Sequence, residues 1–191
     1  MSKSNRGKVI VIVAPSGAGK TTIAQRLLKE YPQLKFSVSA TTRPAREGEE
    51  HGKDYYFLND EEFDQKVANE AFLEWEPYSG HKYGTLRSEV DKLVESGYFP
   101  LLDIEVKGAL NVQELYGSDV VSIFIEPPSM DELKNRLSNR GSETDESLSK
   151  RLKRAEMEME YADHFDYSVV NDDLETAYAE VKEIIESYIT D

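Results

Sequence analysis

The chain has 191 residues, 39% hydrophobic and 31% charged, with a net charge of −14. That length and balance suit one compact soluble domain with small insertions and argue against global disorder. The acidic excess lacks a basic tract and excludes a nucleic-acid surface, which needs clustered Lys and Arg. The absence of cysteine excludes disulfides and thiolate metal sites.

The polar start, residues 1–8, is followed by an apolar run, residues 9–14, too short for a membrane span or a signal-peptide core. A soluble protein of the cytoplasm, with no membrane partner, is expected. The run Lys8-Val-Ile-Val-Ile-Val13 is β-branched and continuously apolar after Lys8, the pattern of a strand buried on both faces of a parallel sheet. A helix with Ile23, Leu27 and Leu28 on one face follows, ending at Pro32. Further strands are predicted at 99–104, 120–125 and 167–170, with a short one at 36–38. Helices are predicted at 86–96, 106–116, 129–139 and 174–189, the third opened by a capping box from Ser129 to Glu132. Strands alternating with helices indicate an α/β fold around a parallel sheet.

Two stretches interrupt the alternation. Residues 39–83 are polar, aromatic and Gly-rich, with strand-like pieces such as Tyr55-Tyr-Phe-Leu58, and read as an inserted β-rich unit. Residues 139–154 are highly charged, with Gly141 at a hinge position, and read as a helical cover. The division is a core of residues 1–38, 86–126 and 160–191, an insertion at 39–85 and a cover region at 127–159.

Between the first strand and first helix lies Ala14-Pro15-Ser16-Gly17-Ala18-Gly19-Lys20-Thr21-Thr22. It resembles the G-x-x-x-x-G-K-S/T phosphate loop. Gly17 and Gly19 permit backbone shapes that aim N–H groups at an anion, and the helix N-terminus adds its positive dipole end. Lys20 supplies a full charge for β- and γ-phosphates, and the Thr21 hydroxyl can ligate Mg²⁺. Ala14 replaces the first glycine of the pattern, so the loop must adopt an ordinary φ there. Asp103 ends a buried strand, where ligand sites of parallel sheets gather. It can cap the following helix or reach a metal through water, and Glu105 stands two residues on.

In the insertion, Arg43 and Arg46 follow Ser39 and two threonines, then come Gly48, Glu49, Tyr55 and Tyr83. Arginine forks and tyrosine hydroxyls suit a phosphate dianion. Arg140 and Arg151 stand eleven residues apart in the charged stretch, with Arg136 one turn before Arg140. They can belong to a solvated helix laced with i,i+4 pairs or face a ligand.

The chain resembles the guanylate kinase family over nearly its whole length. The resemblance rests on Pro15-Ser-Gly-Ala-Gly-Lys20, Ser39-Ala-Thr-Thr-Arg-Pro44, Gly52-Lys-Asp-Tyr55, Glu74-Trp75, Tyr83-Gly84, Leu102-Asp-Ile104, Pro127-Pro-Ser129, Arg140-Gly141 and Val170-Asn-Asp-Asp173. It implies Mg²⁺-dependent transfer of a phosphoryl group from ATP to GMP, and to dGMP. By resemblance, Arg43, Arg46, Tyr55 and Tyr83 hold the GMP phosphate, with Glu49, Asp103 and Glu105 in the same site. Ser39, Glu74 and Thr85 read the guanine. Arg140 and Arg151 close on the transferring group as a lid, and Asn171 contacts the adenine. Glu105 stands where many relatives carry Asp. The chemistry agrees, since guanine N1–H and N2 are adjacent donors for Glu74 and O6 accepts from a hydroxyl, whereas adenine N1 would face the carboxylate as an acceptor. A non-catalytic binding module of the same fold and a kinase for another acceptor are the competing readings. Both loop and lid cations are present, against the module, and Glu74 with Ser39 stands against another acceptor. No general base is needed, so His51, His81 and His164 are assigned to surface or packing roles.

Overall fold

The computed structural model describes residues 6–139 and 145–189. The elements in order are β1 (Val9–Val13), α1 (Lys20–Glu30), β2 (Leu34–Phe36), β3 (Ser39–Thr41), β4 (Tyr56–Phe57), α2 (Asp60–Ala68), β5 (Phe72–Tyr78) and β6 (His81–Leu86). Then follow α3 (Arg87–Glu95), β7 (Phe99–Asp103), α4 (Val106–Tyr116), β8 (Val120–Glu126), α5 (Met130–Ser138), α6 (Asp145–Met159), β9 (Tyr167–Val170) and α7 (Leu174–Ile189).

The main sheet has the order β2-β7-β1-β8-β9, and every pairing in it is parallel. β1 lies at its centre, which explains its unbroken apolar sequence. Because side chains alternate across a strand, Ile10 and Ile12 face one layer and Val9, Val11 and Val13 the other. The first layer contains Ile23 and Leu27 of α1 with Val181 and Ile185 of α7. The second contains Val90 and Val94 of α3 with Ala109 and Val112 of α4. The register sets Ile12 beside Asp103, so the ends of β1 and β7 open at the same sheet edge.

The insertion forms its own sheet, ordered β4-β3-β6-β5. Ser79 and Gly80, at φ of 51° and 80°, make the two-residue turn between β5 and β6. A small core of Ala40, Phe63, Phe72 and Leu86 holds this sheet, with Phe63 and Phe72 stacked at 4.5 Å.

Several expectations change. The short strand at 36–38 is instead Leu34–Phe36, because Leu34 is the buried anchor against β7 while Phe36 is exposed at the sheet edge. The insertion contains a helix, α2, that the β-rich reading lacked. It is announced by a full capping box: Asn59 accepts from the Glu62 N–H, and Glu62 accepts from the Asn59 N–H. Ser129 forms only half of its box, since Glu132 turns to Arg136. The charged cover is a helix over Asp145–Met159, running beyond residue 154. Arg140 and Gly141 lie outside the described residues. No helix among the described residues is long and apolar enough to cross a membrane.

The Phe63 ring is fully buried in the apolar cluster of Ala40, Phe72 and Leu86. Phe63→Ala should cost about 3–5 kcal/mol of unfolding free energy in urea denaturation. A loss below about 1 kcal/mol would show that the insertion draws its stability elsewhere.

Candidate functional site

The loop after β1 has the shape its glycines allow. Gly17 and Gly19 sit at φ of 95° and 96°, and Ala14 is not among the positive-φ residues. The strain that a missing glycine would bring at Ala14 is therefore avoided. The Ala18 N–H donates to the Pro15 carbonyl at 3.1 Å and closes the turn. Thr21 and Thr22 lie exposed in the first turn of α1.

Asp103 faces this loop. Its carboxylate pairs with Lys20 Nζ at 2.6 Å and accepts from Thr21 Oγ1 at 3.1 Å. Lys20 also donates to the Ile104 carbonyl at 3.2 Å. Asp103 is not the cap of the next helix: Glu105 holds that position, and no side chain caps it. Asp103 instead binds Lys20 and Thr21 of the loop.

Asn171 is 4% exposed and packs behind the loop. Its Nδ2 donates to the Ala18 carbonyl at 2.7 Å. The structure thus turns its amide towards the loop backbone.

The second sheet lines up the residues assigned to guanine. Ser39 pairs with Thr85 across β3 and β6, and Thr85 pairs with Glu74 across β6 and β5. The three form one row on one face. The next row on that face is Thr41, Tyr83 and Glu76. Thr85 Oγ1 donates to Glu74 Oε1 at 2.6 Å. Thr85 does not cap α3, whose N-cap is Leu86 with no side-chain hydrogen bond. Burial raises the Glu74 carboxyl above its ordinary range, opposed by the Thr85 hydrogen bond and reinforced by Glu105. Glu76 is likewise raised by burial and by its neighbours Glu105 and Glu74.

Arg43 and Glu49 form a bidentate pair, at 2.9 and 2.8 Å. The Arg43 guanidinium lies over Tyr55 at 5.4 Å. The Tyr55 and Tyr83 rings meet edge to face at 6.2 Å. Glu49 also accepts from the Arg46 N–H at 2.7 Å, while the Arg46 side chain is exposed. Arg43 first, then the Arg46 N–H, depress the Glu49 carboxyl to about 2.

The phosphate loop and the hairpin of the second sheet share a cleft of about 470 Å³, a size typical of small-molecule sites. Glu74 lines a neighbouring cavity with Gly108 and Asn111, and Ser39, Arg43, Glu49, Tyr55, Tyr83 and Thr85 do not line the cleft. The loop and Asp103 form one wall, Glu76, Pro77 and Tyr78 of the β5–β6 hairpin another, and Arg151, Arg154 and Glu158 of α6 a third. Arg151 is thus brought to the cleft. Arg154 and Glu158 were not expected there. Arg154 pairs with both Glu105 and Glu158. Its signal was present, since residues 151, 154 and 158 recur at i, i+3 and i+7 and share a helix face. Gly108 was also missed: a Cβ there would stand 2.8 Å from Glu74 Cβ. A glycine inside a predicted helix is the mark of such close packing. His51 is exposed, and its Nδ1 accepts from the Phe57 N–H at 3.2 Å.

The family model described as guanylate kinase matches residues 6–188. The chain belongs to the guanylate kinase family. It is 49% identical over 189 residues to a guanylate kinase of Chlorobium chlorochromatii (strain CaD3), covering 99% of this chain and 100% of the relative. It is 51% identical to a guanylate kinase of Salinibacter ruber (strain DSM 13855 / M31), covering 95% and 97% of the two chains. Its fold is similar to the crystal structure of guanylate kinase from Anaplasma phagocytophilum, with a TM-score of 0.70, 36% identity, and 96% and 86% of the two chains covered.

The Arg43–Glu49 pair has a consequence for acid stability. A carboxylate depressed from 4.5 to about 2 adds stability that is complete above 4.5 and lost as pH falls through about 2. The stability gap between wild type and Glu49→Gln should therefore shrink across that window in acid-titrated urea denaturation. A gap that does not change with pH would contradict the pairing.

Proposed function

We propose that the protein transfers the γ-phosphoryl group of ATP to GMP, and to dGMP, yielding ADP and the guanosine diphosphate. The observation that carries this reading is the row Ser39, Thr85 and Glu74, set on the sheet whose hairpin shares a cleft with the phosphate loop. Family membership supports the same reaction.

In this reading residues 14–22 cradle the ATP phosphates through backbone N–H groups, and Lys20 neutralises them. Incoming phosphate oxygens compete with Asp103 for the Lys20 ammonium. Asn171 sits on the adenine side of the loop. Thr21, with Asp103 acting through water, offers hard oxygen donors of the kind Mg²⁺ prefers. Bound Mg²⁺ would supply charge neutralisation on the phosphates.

At the acceptor end, Arg43, Arg46, Tyr55 and Tyr83 hold the GMP phosphate, with Glu49 holding Arg43. Glu74 accepts guanine N1–H and N2, and Ser39 donates to O6. The one hydroxyl proton of Thr85 goes to Glu74 and aims that carboxylate. Glu105 and Asp103 close the floor of the cleft. A GMP phosphate oxygen then bonds to the γ-phosphorus as the bond to the ADP oxygen breaks. The attacking phosphate is already ionised, so no general base takes part. Arg151 of the cover, with Arg140 expected beside it, neutralises the transferring group and excludes water. Residues 39–85 and 127–159 act as acceptor unit and lid over the remaining core. A site made of small-molecule phosphate contacts needs neither nucleic acid nor membrane, and the acidic, cysteine-free chain suits the cytoplasm.

A coupled ADP assay should show turnover with GMP and dGMP and little with AMP, CMP or UMP. Equal rates with AMP would contradict guanine reading; binding of GMP without turnover would favour a binding module. Lys20→Ala should lower kcat at least about hundredfold. Glu74 must be ionised to accept two guanine donors. Its carboxyl is raised from 4.5, so KM for GMP should climb on acidification while pH is still above 4.5. Glu74→Gln should abolish that climb and shrink the GMP-to-AMP preference. An unchanged preference would remove Glu74 from the guanine site.

A further inference from the structure

We propose that Asn171 is a positioning residue that aims the phosphate loop, and that Arg136 of α5 holds Asn171 in place. A trans peptide unit points its C=O and N–H in opposite directions. The carbonyl of Ala18 and the N–H of Gly19 belong to one such unit. Asn171 Nδ2 takes the carbonyl at 2.7 Å from behind the loop. The Gly19 N–H is thereby turned the other way, to the side where an anion would lie. The inference deepens the phosphate-loop reading above and rests on it.

The loop needs this support because inward N–H groups force carbonyls outward, and a buried carbonyl without a partner is costly. Ala18 is fully buried. Asn171 is also matched to Gly19: a Cβ at that glycine would lie 2.3 Å from Asn171 Nδ2. Gly19 therefore serves its positive φ and gives Asn171 room.

The backbone of Asn171 is itself fixed at two points. Its N–H donates to the Glu126 carbonyl at 2.8 Å, at the end of β8. Its carbonyl accepts from Arg136 Nη1 at 3.0 Å, and Arg136 Nη2 reaches the Asp172 carbonyl at 3.4 Å. Arg136 Nε is held by Glu132 at 3.0 Å. α5 touches the other loop glycine as well. A Cβ at Gly17 would meet Leu137 Cδ2 at 2.9 Å and Leu133 Cδ1 at 3.1 Å. Those leucines pack with Ala155 of α6, the helix that carries Arg151 and Arg154 to the cleft. Both positive-φ glycines of the loop thus back onto α5 or a residue α5 holds.

The test uses two ligands, MgATP and inorganic tripolyphosphate with Mg²⁺, which has no base. Titration calorimetry on the full chain compares wild type, Asn171→Asp, which keeps the shape but loses the donor, and Arg136→Met, which keeps the stem but loses the fork. Asn171→Asp should weaken both ligands by a similar factor of about tenfold or more, with GMP affinity within about twofold of wild type. Arg136→Met should weaken both ligands less, in the same ratio. Loss of ATP affinity alone, with tripolyphosphate unchanged, would overturn the proposal and leave Asn171 as a base contact. An equal loss of GMP affinity would overturn it as general damage to the fold. An unaffected Arg136→Met would remove Arg136 from the chain of support. Failure of wild type to bind tripolyphosphate would instead refute the phosphate-loop reading.

Discussion

The donor end of the molecule depends on one parallel pairing, β1 against β7, with Ile12 set beside Asp103. The loop that follows β1 must then emerge next to the carboxylate that ends β7. Lys20 and Thr21, at the start of α1, meet Asp103 for that reason. A one-residue slip would turn Asp103 into an apolar layer and bring Leu102 to the edge. Close packing opposes the slip, because Ile10 and Ile12 fill one layer and Val9, Val11 and Val13 the other, and a slip would exchange isoleucine for valine in both. Packing on both faces of a central strand thus sets the position of a charge at its end.

The acceptor end is built by the same rule in a different sheet. Antiparallel pairing puts Ser39, Thr85 and Glu74 in a row, and the bulge between Phe72 and Glu74 brings Glu74 into line with Thr85. Gly108 then lets α4 approach closely enough to press on Glu74. The carboxylate is desolvated by that approach and raised accordingly. A carboxylate proposed to read a base by accepting two hydrogen bonds has to be dry to discriminate, and dryness is what raises it.

Much of this was legible in the sequence, and what was not has identifiable causes. The strand at 9–13 was readable as an unbroken β-branched run, and the helices at 106–116 and 174–189 as helical patterns. The phosphate loop was readable because glycine, lysine and threonine occur at a spacing that one backbone shape requires. The helix α2 was overlooked although Asn59 and Glu62 mark its start, because the surrounding aromatic residues suggested strands. Arg154 was overlooked because its role depends on Glu105, 49 residues away, and only the fold brings the two together. The partner of Asn171 was beyond reach for the same reason: Ala18 lies 153 residues earlier. Local pattern finds elements; it does not find which loop end faces which.

The charge arrangement explains how an acidic protein can hold two phosphorylated substrates. Three cations stand beside carboxylates: Lys20 with Asp103 and Arg154 with Glu105 at the cleft, and Arg43 with Glu49 on the second sheet. A cluster of unpaired cations in a half-dry cleft would repel itself and destabilise the fold. Pairing each with a carboxylate removes that cost and fixes each side chain in one geometry. A phosphate entering such a cleft exchanges one anion for another, so its affinity is a difference between two pairings. That difference favours a dianion over a carboxylate, because its charge is larger and its oxygens can engage an arginine fork and backbone N–H groups together. The net charge of −14 is then no obstacle, because the internal carboxylates hold the cations ready without competing as strongly as phosphate. The same logic makes the pairs selective, since a weaker anion gains too little to displace them.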